Sequence, residues 1–207
     1  MTLMAETIRL GESQLDEASA VLARAFFDDP LFVWMEPDDQ RRAGFLPWIM
    51  RVGSRYGMLF GEVHATPHAL QGAAVWLPPG GTTVQQERLE QAGFVDPVAV
   101  LGETAVARFD SFMEHAEALH ARDMGAAHWY LMILGVDPPF QGRGIGGGVI
   151  QPVLSRVDSE GLPCYLETAK ERNLPFYRKH GFEVVHEGMM PPDGPRFWTM
   201  SRRATRT

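Results

Sequence analysis

A single cysteine, Cys164, stands in the 207 residues, so no disulfide can form within the chain, which agrees with a reducing compartment. Set in an apolar run, it reads as a small core residue. No uninterrupted apolar segment has the length a membrane helix needs, and residues 1–10 lack the apolar stretch of a secretory leader. A soluble, cytoplasmic protein without a membrane partner is expected. Linker-like tracts, internal repeats and low-complexity segments are also missing, and 45% of the residues are hydrophobic. One domain spanning residues 1–207 with a substantial core follows. The net charge of −7, with an isoelectric point near 5.5, lacks the basic face that nucleic-acid binding requires. Any anionic ligand must then be held by local donors, while the overall field weakly favours a cationic amine. His115 and His120 are five apart and do not share a helix face as zinc-binding pairs at i, i+4 do, so no metal is expected.

What the chain has is glycine in one place. Val136-Asp-Pro-Pro-Phe-Gln-Gly-Arg-Gly-Ile-Gly-Gly-Gly148 follows an apolar, strand-length run from His128 to Val136. After it, Ile145, Val149, Val153 and Val157 recur at helical spacing. The segment is therefore strand, turn, helix. Gly142, Gly144 and Gly146 permit backbone conformations and close approaches that a Cβ forbids. The first turn of the helix offers unpaired N–H groups and a partial positive charge, together an anion cradle. Arg143 adds a charged donor, and the Gln141 side chain can brace the loop.

Three readings of these glycines compete. A Walker loop fails because no Gly-Lys-Ser/Thr follows. A dinucleotide fingerprint gains support from Glu167, a carboxylate at the end of a second apolar strand roughly 20 residues on. Against it, five residues separate strand from glycines, and too little chain follows for the other half of such a fold. A bare turn without a ligand is the third reading.

Gln141-x-x-Gly144-x-Gly146, preceded by Gly135-Val136-x-Pro138, resembles the acetyl-CoA signature of the GNAT superfamily of N-acetyltransferases. Tyr165-Leu-Glu-Thr-Ala169 followed by Asn173-Leu-Pro-Phe-Tyr177-x-x-x-Gly181-Phe182 resembles its second signature, in the expected order. Residues 129–202 are similar to the branch containing puromycin N-acetyltransferase and its bacterial relatives; residues 1–128 match only loosely. The resemblance implies acetyl-CoA as cosubstrate, with backbone groups at Leu134 and Val136 holding the pantetheine arm. The amides of Gln141, Gly142, Arg143, Gly144, Ile145 and Gly146 would take the pyrophosphate. Asn173 would contact the arm from the opposite side, and Tyr177 would protonate the departing thiolate.

Chemically, amine attack on a thioester needs an oxyanion donor, an acid for the thiolate and an acceptor for the amine proton. A strand bulge can supply the first. Glu167, a carboxylate on an otherwise apolar strand, is costly to bury unless paired or used, so it is the candidate base or else a structural partner of an Arg or an amide. Asp28, Asp29 and Glu103 are further candidates on the acceptor side. Phe27, Phe32, Trp34 and Trp48 can floor an acceptor pocket.

Elsewhere, Thr7–Leu10 reads as a strand, and Leu15, Ala18, Leu22 and Phe26 mark a helix that ends before Pro30. Residues 38–56 form another helix, and strands are expected at 58–65 and 71–77. Val106, Phe109, Met113, Ala116 and Leu119 or His120 line one side of a long helix that can form part of the acceptor wall. Strand 164–169, helix 173–180, strands 182–187 and 196–202 and a loop over 189–194 close the chain. Pro152 predicts a bend in the helix after the glycines. The expected fold is α/β of the α+β type, the GNAT fold: a mixed, mostly antiparallel twisted sheet of about seven strands, flanked by helices and splayed at its central parallel pair. Residues 1–126 would be the acceptor side and 127–203 the acetyl-CoA side. The expected activity is acetyl transfer to a primary amine of a small molecule, aminonucleoside-like or polyamine, by direct attack in a ternary complex. The alternatives are a nucleotide-dependent oxidoreductase and a non-catalytic acyl-CoA-binding protein. A homodimer is what many relatives form.

Overall fold

Alternation along one strand divides the molecule into two layers around a sheet. In β3 (Gly72–Leu77), Ala73 and Val75 pack with α1 (Leu15–Phe26) and α3 (Asp39–Phe60). Ala74 and Trp76 point the other way, into a cluster built on α7 (Ile145–Glu160) and α8 (Leu174–Lys179). The period of two carries both faces into apolar surroundings, which is why every residue of β3 is buried. This computed structural model describes residues 6–204. The domain limits expected at 1 and 207 lie outside the described residues, as does half of the segment read as leader-free.

Seven strands form one sheet in the order β1-β2-β3-β4-β5-β7-β6. The further strands are β1 (Ile8–Arg9), β2 (Glu62–Ala65), β4 (Trp129–Val136), β5 (Cys164–Thr168), β6 (Glu183–Met189) and β7 (Arg196–Arg202). All neighbours are antiparallel except β4 and β5. That parallel pair is registered only at Trp129↔Cys164 and Tyr130↔Tyr165, after which the strands part. The expected splay is therefore present. Opposite β3, the register jumps from Ile133 to Leu131, leaving Met132 as an extra residue in β4. Met132 and Ile133 consequently both pack toward the α1 and α3 layer.

Helix starts follow capping chemistry. Asp29 accepts from the Leu31 amide at 3.0 Å and Pro30 occupies the first turn, so Pro30 opens α2 (Pro30–Met35) as well as closing the preceding region. Asp38 caps α3 through the Arg41 amide at 2.9 Å. The strand expected from residue 58 begins only at Glu62: Met58–Phe60 are the last turn of α3, held by a Tyr56–Phe60 ring contact of 5.0 Å. Close approach at Gly57 allows α3 to lie on the sheet, since a Cβ there would stand 2.3 Å from Val75 Cγ1. Two short helices, α4 (Gln86–Ala92) and α5 (Pro97–Leu101), precede the long α6 (Glu103–Asp123), and neither was expected. Met189 belongs to β6, not to the loop that follows.

α7 continues unbroken through Pro152, which has no N–H to offer the Gly148 carbonyl, so the ladder lacks that bond. Val149, Val153 and Val157 are fully buried beneath β2–β4. Cys164 is buried as expected, and burial pushes its thiol up to about 12. No helix of the described residues is long and apolar enough to cross a membrane.

Candidate active site

Two cavities meet where β4 and β5 diverge. One, of about 440 Å³, lies against the glycine loop; the other, of about 290 Å³, lies among α1–α3, α6 and the sheet. Phe26, Asp29, Leu134, Asn173 and Tyr177 line both and form the throat between them. The glycine cavity continues along Gly135, Val136, Phe140, Gln141, Gly142, Gly144, Ile145, Gly146 and Gly147. Lys170, Arg172 and Lys179 line the same cavity and bring cationic side chains to it, and His180 packs beside Gly147.

The loop is built to present amides. Gly144 caps α7 at φ 83°, a left-handed conformation that strains any residue with a Cβ, and Gly142 lies at φ 77°. Among the described residues, no amide from Gly142 to Gly147 donates to a protein acceptor, leaving a row of free N–H groups at the positive end of a 16-residue helix. Gln141 Nε2 donates to the Val136 carbonyl at 2.9 Å and fixes the loop to the strand end. Arg24 and Asp137 clamp the same junction to α1 through two bonds of 3.0 and 2.6 Å. Arg143 is exposed, with its guanidinium 5.5 Å from the Phe140 ring. These residues fit a diphosphate-bearing ligand: free amides are presented by the loop, cationic side chains line the same cavity, and side chains are absent at Gly142, Gly144 and Gly146 where a ligand must approach.

Tyr177 sits in the throat. Its ring packs edge-on against Phe176 and Phe182, while its hydroxyl makes no hydrogen bond to the described residues. Burial, then the Asp29 charge, pushes the phenol well above its usual range, so it stays protonated. Asp29 is itself buried and lies 3.7 Å from Lys170 Nζ. Burial raises the Asp29 carboxyl and lowers the Lys170 ammonium, so each needs the other. With its amide-capping role, Asp29 is accounted for structurally. Asp28 and Glu103 are exposed and line neither cavity.

Glu167 lies in the wall of the acceptor-side cavity, with its side chain 7% exposed. Its Oε1 has no hydrogen-bond partner, and burial pushes the carboxyl up to about 8 despite the hydroxyls of Tyr130 and Tyr165. Among the described residues no arginine pairs with it; of the structural partners expected, only a backbone amide acts on it. It does not face the glycine cavity, where a ribose-binding carboxylate would have to stand. Together with the mostly antiparallel sheet, this removes the support for a dinucleotide fold.

Sequence reasoning missed the role of His120. It lines the acceptor-side cavity from α6 with Nδ1 4.0 Å from Glu167 Oε1, while its Nε2 is 2.6 Å from His128 Nε2. Only its position on the wall helix was legible. Most of the remaining wall is apolar, with Phe26, Leu31, Phe32, Ile49, Met50, Tyr56, Phe94, Phe109, Phe112 and Phe197, and Thr82, Thr83, Glu117 and Thr168 add polar groups. Of the four aromatics expected to floor the pocket, Phe32 does. Phe27 and Trp34 instead lie under Arg42 and Arg108, and Trp48 stacks on Phe94 at 5.2 Å. The 189–194 loop lines neither cavity; it is tied to α6 by Ser111 Oγ donating to Pro191 O at 2.8 Å.

Residues 98–184 match the family described as the acetyltransferase (GNAT) domain, a span that includes α6, the glycine loop and Tyr177. An uncharacterised N-acetyltransferase of Schizosaccharomyces pombe is 28% identical over 181 residues, covering 84% of this chain and 72% of that protein. A Corynebacterium glutamicum structure described as histone acetyltransferase HPA2 and related acetyltransferase superposes with a TM-score of 0.66 at 20% identity, covering 99% of each chain. Arylalkylamine N-acetyltransferase 2 of Aedes aegypti superposes with a TM-score of 0.63 at 13% identity, covering 97% of this chain and 99% of that one. The fold is the one these solved structures share, the GNAT fold, and residues 98–184 are similar to the GNAT acetyltransferase domain.

Proposed function

We propose that the protein transfers the acetyl group of acetyl-CoA to the primary amine of a small molecule, by direct attack within a ternary complex. The observation that carries this is the throat: a cavity floored by free loop amides opens, at Tyr177, into a second cavity ending on a carboxylate. In this reading the amides of Gly142, Arg143, Gly144, Ile145 and Gly146 take the pyrophosphate, with Gln141 bracing their loop. Backbone groups at Leu134 and Val136 and the Asn173 side chain hold the pantetheine arm across the gap between β4 and β5. Acetyl-CoA supplies a thioester; every proton is managed by the protein. Glu167 accepts the proton of the incoming ammonium, and Tyr177 gives one to the leaving sulfur. Residues 1–126 supply most of the acceptor wall and 127–203 the cosubstrate side.

The acceptor cavity favours an apolar, ring-bearing amine. A polyamine would need carboxylates spaced along its length, but besides Glu167 the walls carry only Asp29, committed to Lys170, and the exposed Glu117. Aminonucleoside-like and arylalkyl amines satisfy the aromatic walls. Substrates of this kind and a lone buried thiol suit a cytoplasmic enzyme.

The test is thiol release from acetyl-CoA against phenethylamine, tryptamine, puromycin and spermidine, with Tyr177→Phe as control. Release with the ring-bearing amines and its loss in the variant is expected. Coenzyme A binding without release for any amine would make the protein an acyl-CoA binder, and NAD binding in its place would revive the oxidoreductase.

A further inference from the structure

The acceptor cavity ends on two hydrogen-bond acceptors of which the acetyl-transfer reading uses only one. Glu167 Oε1 has no partner, and His120 Nδ1 faces it across 4.0 Å. That gap is too long for a direct hydrogen bond. It is short enough that one nitrogen placed between the two atoms can donate to both at about 2.9 Å.

Hydrogen-bond direction fixes which face His120 shows. The Ala126 carbonyl can only accept, so His128 Nδ1, 2.6 Å away, carries a hydrogen. With that one hydrogen placed on Nδ1, His128 offers a lone pair at Nε2, and the His120 Nε2 that lies 2.6 Å from it donates. His120 Nδ1 is left bare toward the cavity. Burial, then His128, pushes the His120 imidazole down to about 4, so it stays neutral and its approach to Glu167 is not an ion pair. The ring is held by a 4.2 Å stack on Tyr165 and a 4.7 Å edge contact with Tyr130. Asp123 and the hydroxyls of Tyr130 and Tyr165 are the other ionisable groups acting on this pair.

We propose that Glu167 Oε1 and His120 Nδ1 together form a two-acceptor seat that selects primary amines, with His128 as the positioning residue that sets the His120 tautomer. This rests on the acetyl-transfer reading. The ammonium gives one proton to the Glu167 carboxylate, which passes it on to solvent and is an acceptor again before attack. The two N–H groups that remain span the two acceptors and turn the lone pair toward the throat. As the amide bond forms and the C–S bond breaks, nitrogen loses a second proton, which replaces the one Tyr177 delivers to sulfur. A secondary amine has one N–H too few at the attacking stage and leaves one acceptor unfilled.

The test compares phenethylamine with N-methylphenethylamine in the full-length protein. Wild type should prefer the primary amine roughly tenfold or more, the worth of one hydrogen bond. His120→Phe keeps the ring stack but removes the acceptor; it should lower kcat/KM for phenethylamine roughly 10- to 100-fold and abolish the preference, with acetyl-CoA affinity unchanged. His128→Asn, which can still accept from His120 Nε2, should retain more activity than His128→Leu. Independently of turnover, 15N-histidine spectra should show His120 as the Nε2–H tautomer, with its Nδ1 resonance moving on addition of phenethylammonium chloride. A preference that survives in His120→Phe, or a hydrogen on His120 Nδ1, overturns the seat. Wild type that acetylates no amine overturns the acetyl-transfer reading instead, and the nitrogen spectra then decide the seat alone.

Discussion

Replacing Glu167 by glutamine should stabilise the fold while impairing the chemistry, because the carboxyl is held in a place that disfavours its charge. Its folded value of about 8 stands above the ordinary 4.5, with burial as the principal cause. The folded state therefore binds the proton more tightly than the unfolded chain does. This contribution to stability is complete below pH 4.5, declines as the pH rises and is lost above about 8. At roughly 1.4 kcal/mol per pH unit, the penalty is about 3 kcal/mol at pH 7 and about 5 kcal/mol at pH 9. Glutamine keeps the shape and carries no charge. Urea unfolding of both proteins at pH 5, 7 and 9 isolates the effect, since every other titration cancels in the difference. The advantage of Glu167→Gln should widen by about 4 kcal/mol between pH 5 and pH 9. In parallel, kcat should fall by roughly 10²–10⁴ with acetyl-CoA binding intact. A stability difference that stays flat with pH would refute the account of Glu167 as a buried, unpaired acid.

Tyr177→Phe should leave acetyl-CoA affinity by calorimetry nearly unchanged and lower kcat by up to roughly 10²–10⁴. Gly144→Ala places a Cβ on a backbone at φ 83°, and the strain of about 1–2 kcal/mol should appear both as a lower Tm and as weaker stabilisation by coenzyme A. Gly57→Ala should cost about 1–3 kcal/mol by driving a methyl into Val75, and adding Val75→Ala should recover part of it in urea melts. Phe109→Ala should raise KM for arylalkyl amines without changing that for acetyl-CoA, because Phe109 lines only the acceptor-side cavity.

Local signals were legible and distant ones were not. The loop from Val136 to Gly148 could be read as strand, turn and helix because glycine chemistry and two periodicities lie side by side within about twenty residues. Glu167 stood out because a carboxylate among Tyr165, Leu166 and Ala169 demands a reason. Met58-Leu-Phe60 looked like strand because three apolar residues in a row satisfy either period, whereas the Tyr56–Phe60 contact and the Gly61 amide bonded to the Gly57 carbonyl hold them in the last helical turn. α4 and α5 are too short to show a helical stripe: α4 has only Leu89 and Ala92 as apolar residues, and α5 is apolar throughout its five residues. His120 could not be assigned, since its partners come from the following turn, from β4 and from β5, and nothing in its spacing from His115 foretells them.

Beyond Tyr130 and Tyr165 the two central strands leave their facing edges without ladder partners. An interior seam of backbone donors and acceptors invites an extended guest to act as an eighth strand, stitched in by main-chain bonds that tolerate any side chain nearby. Amide protons along the inner margin of residues 131–136 should then exchange quickly in the free protein and slow sharply once the guest is threaded. The sheet would be completed by a molecule that is not protein.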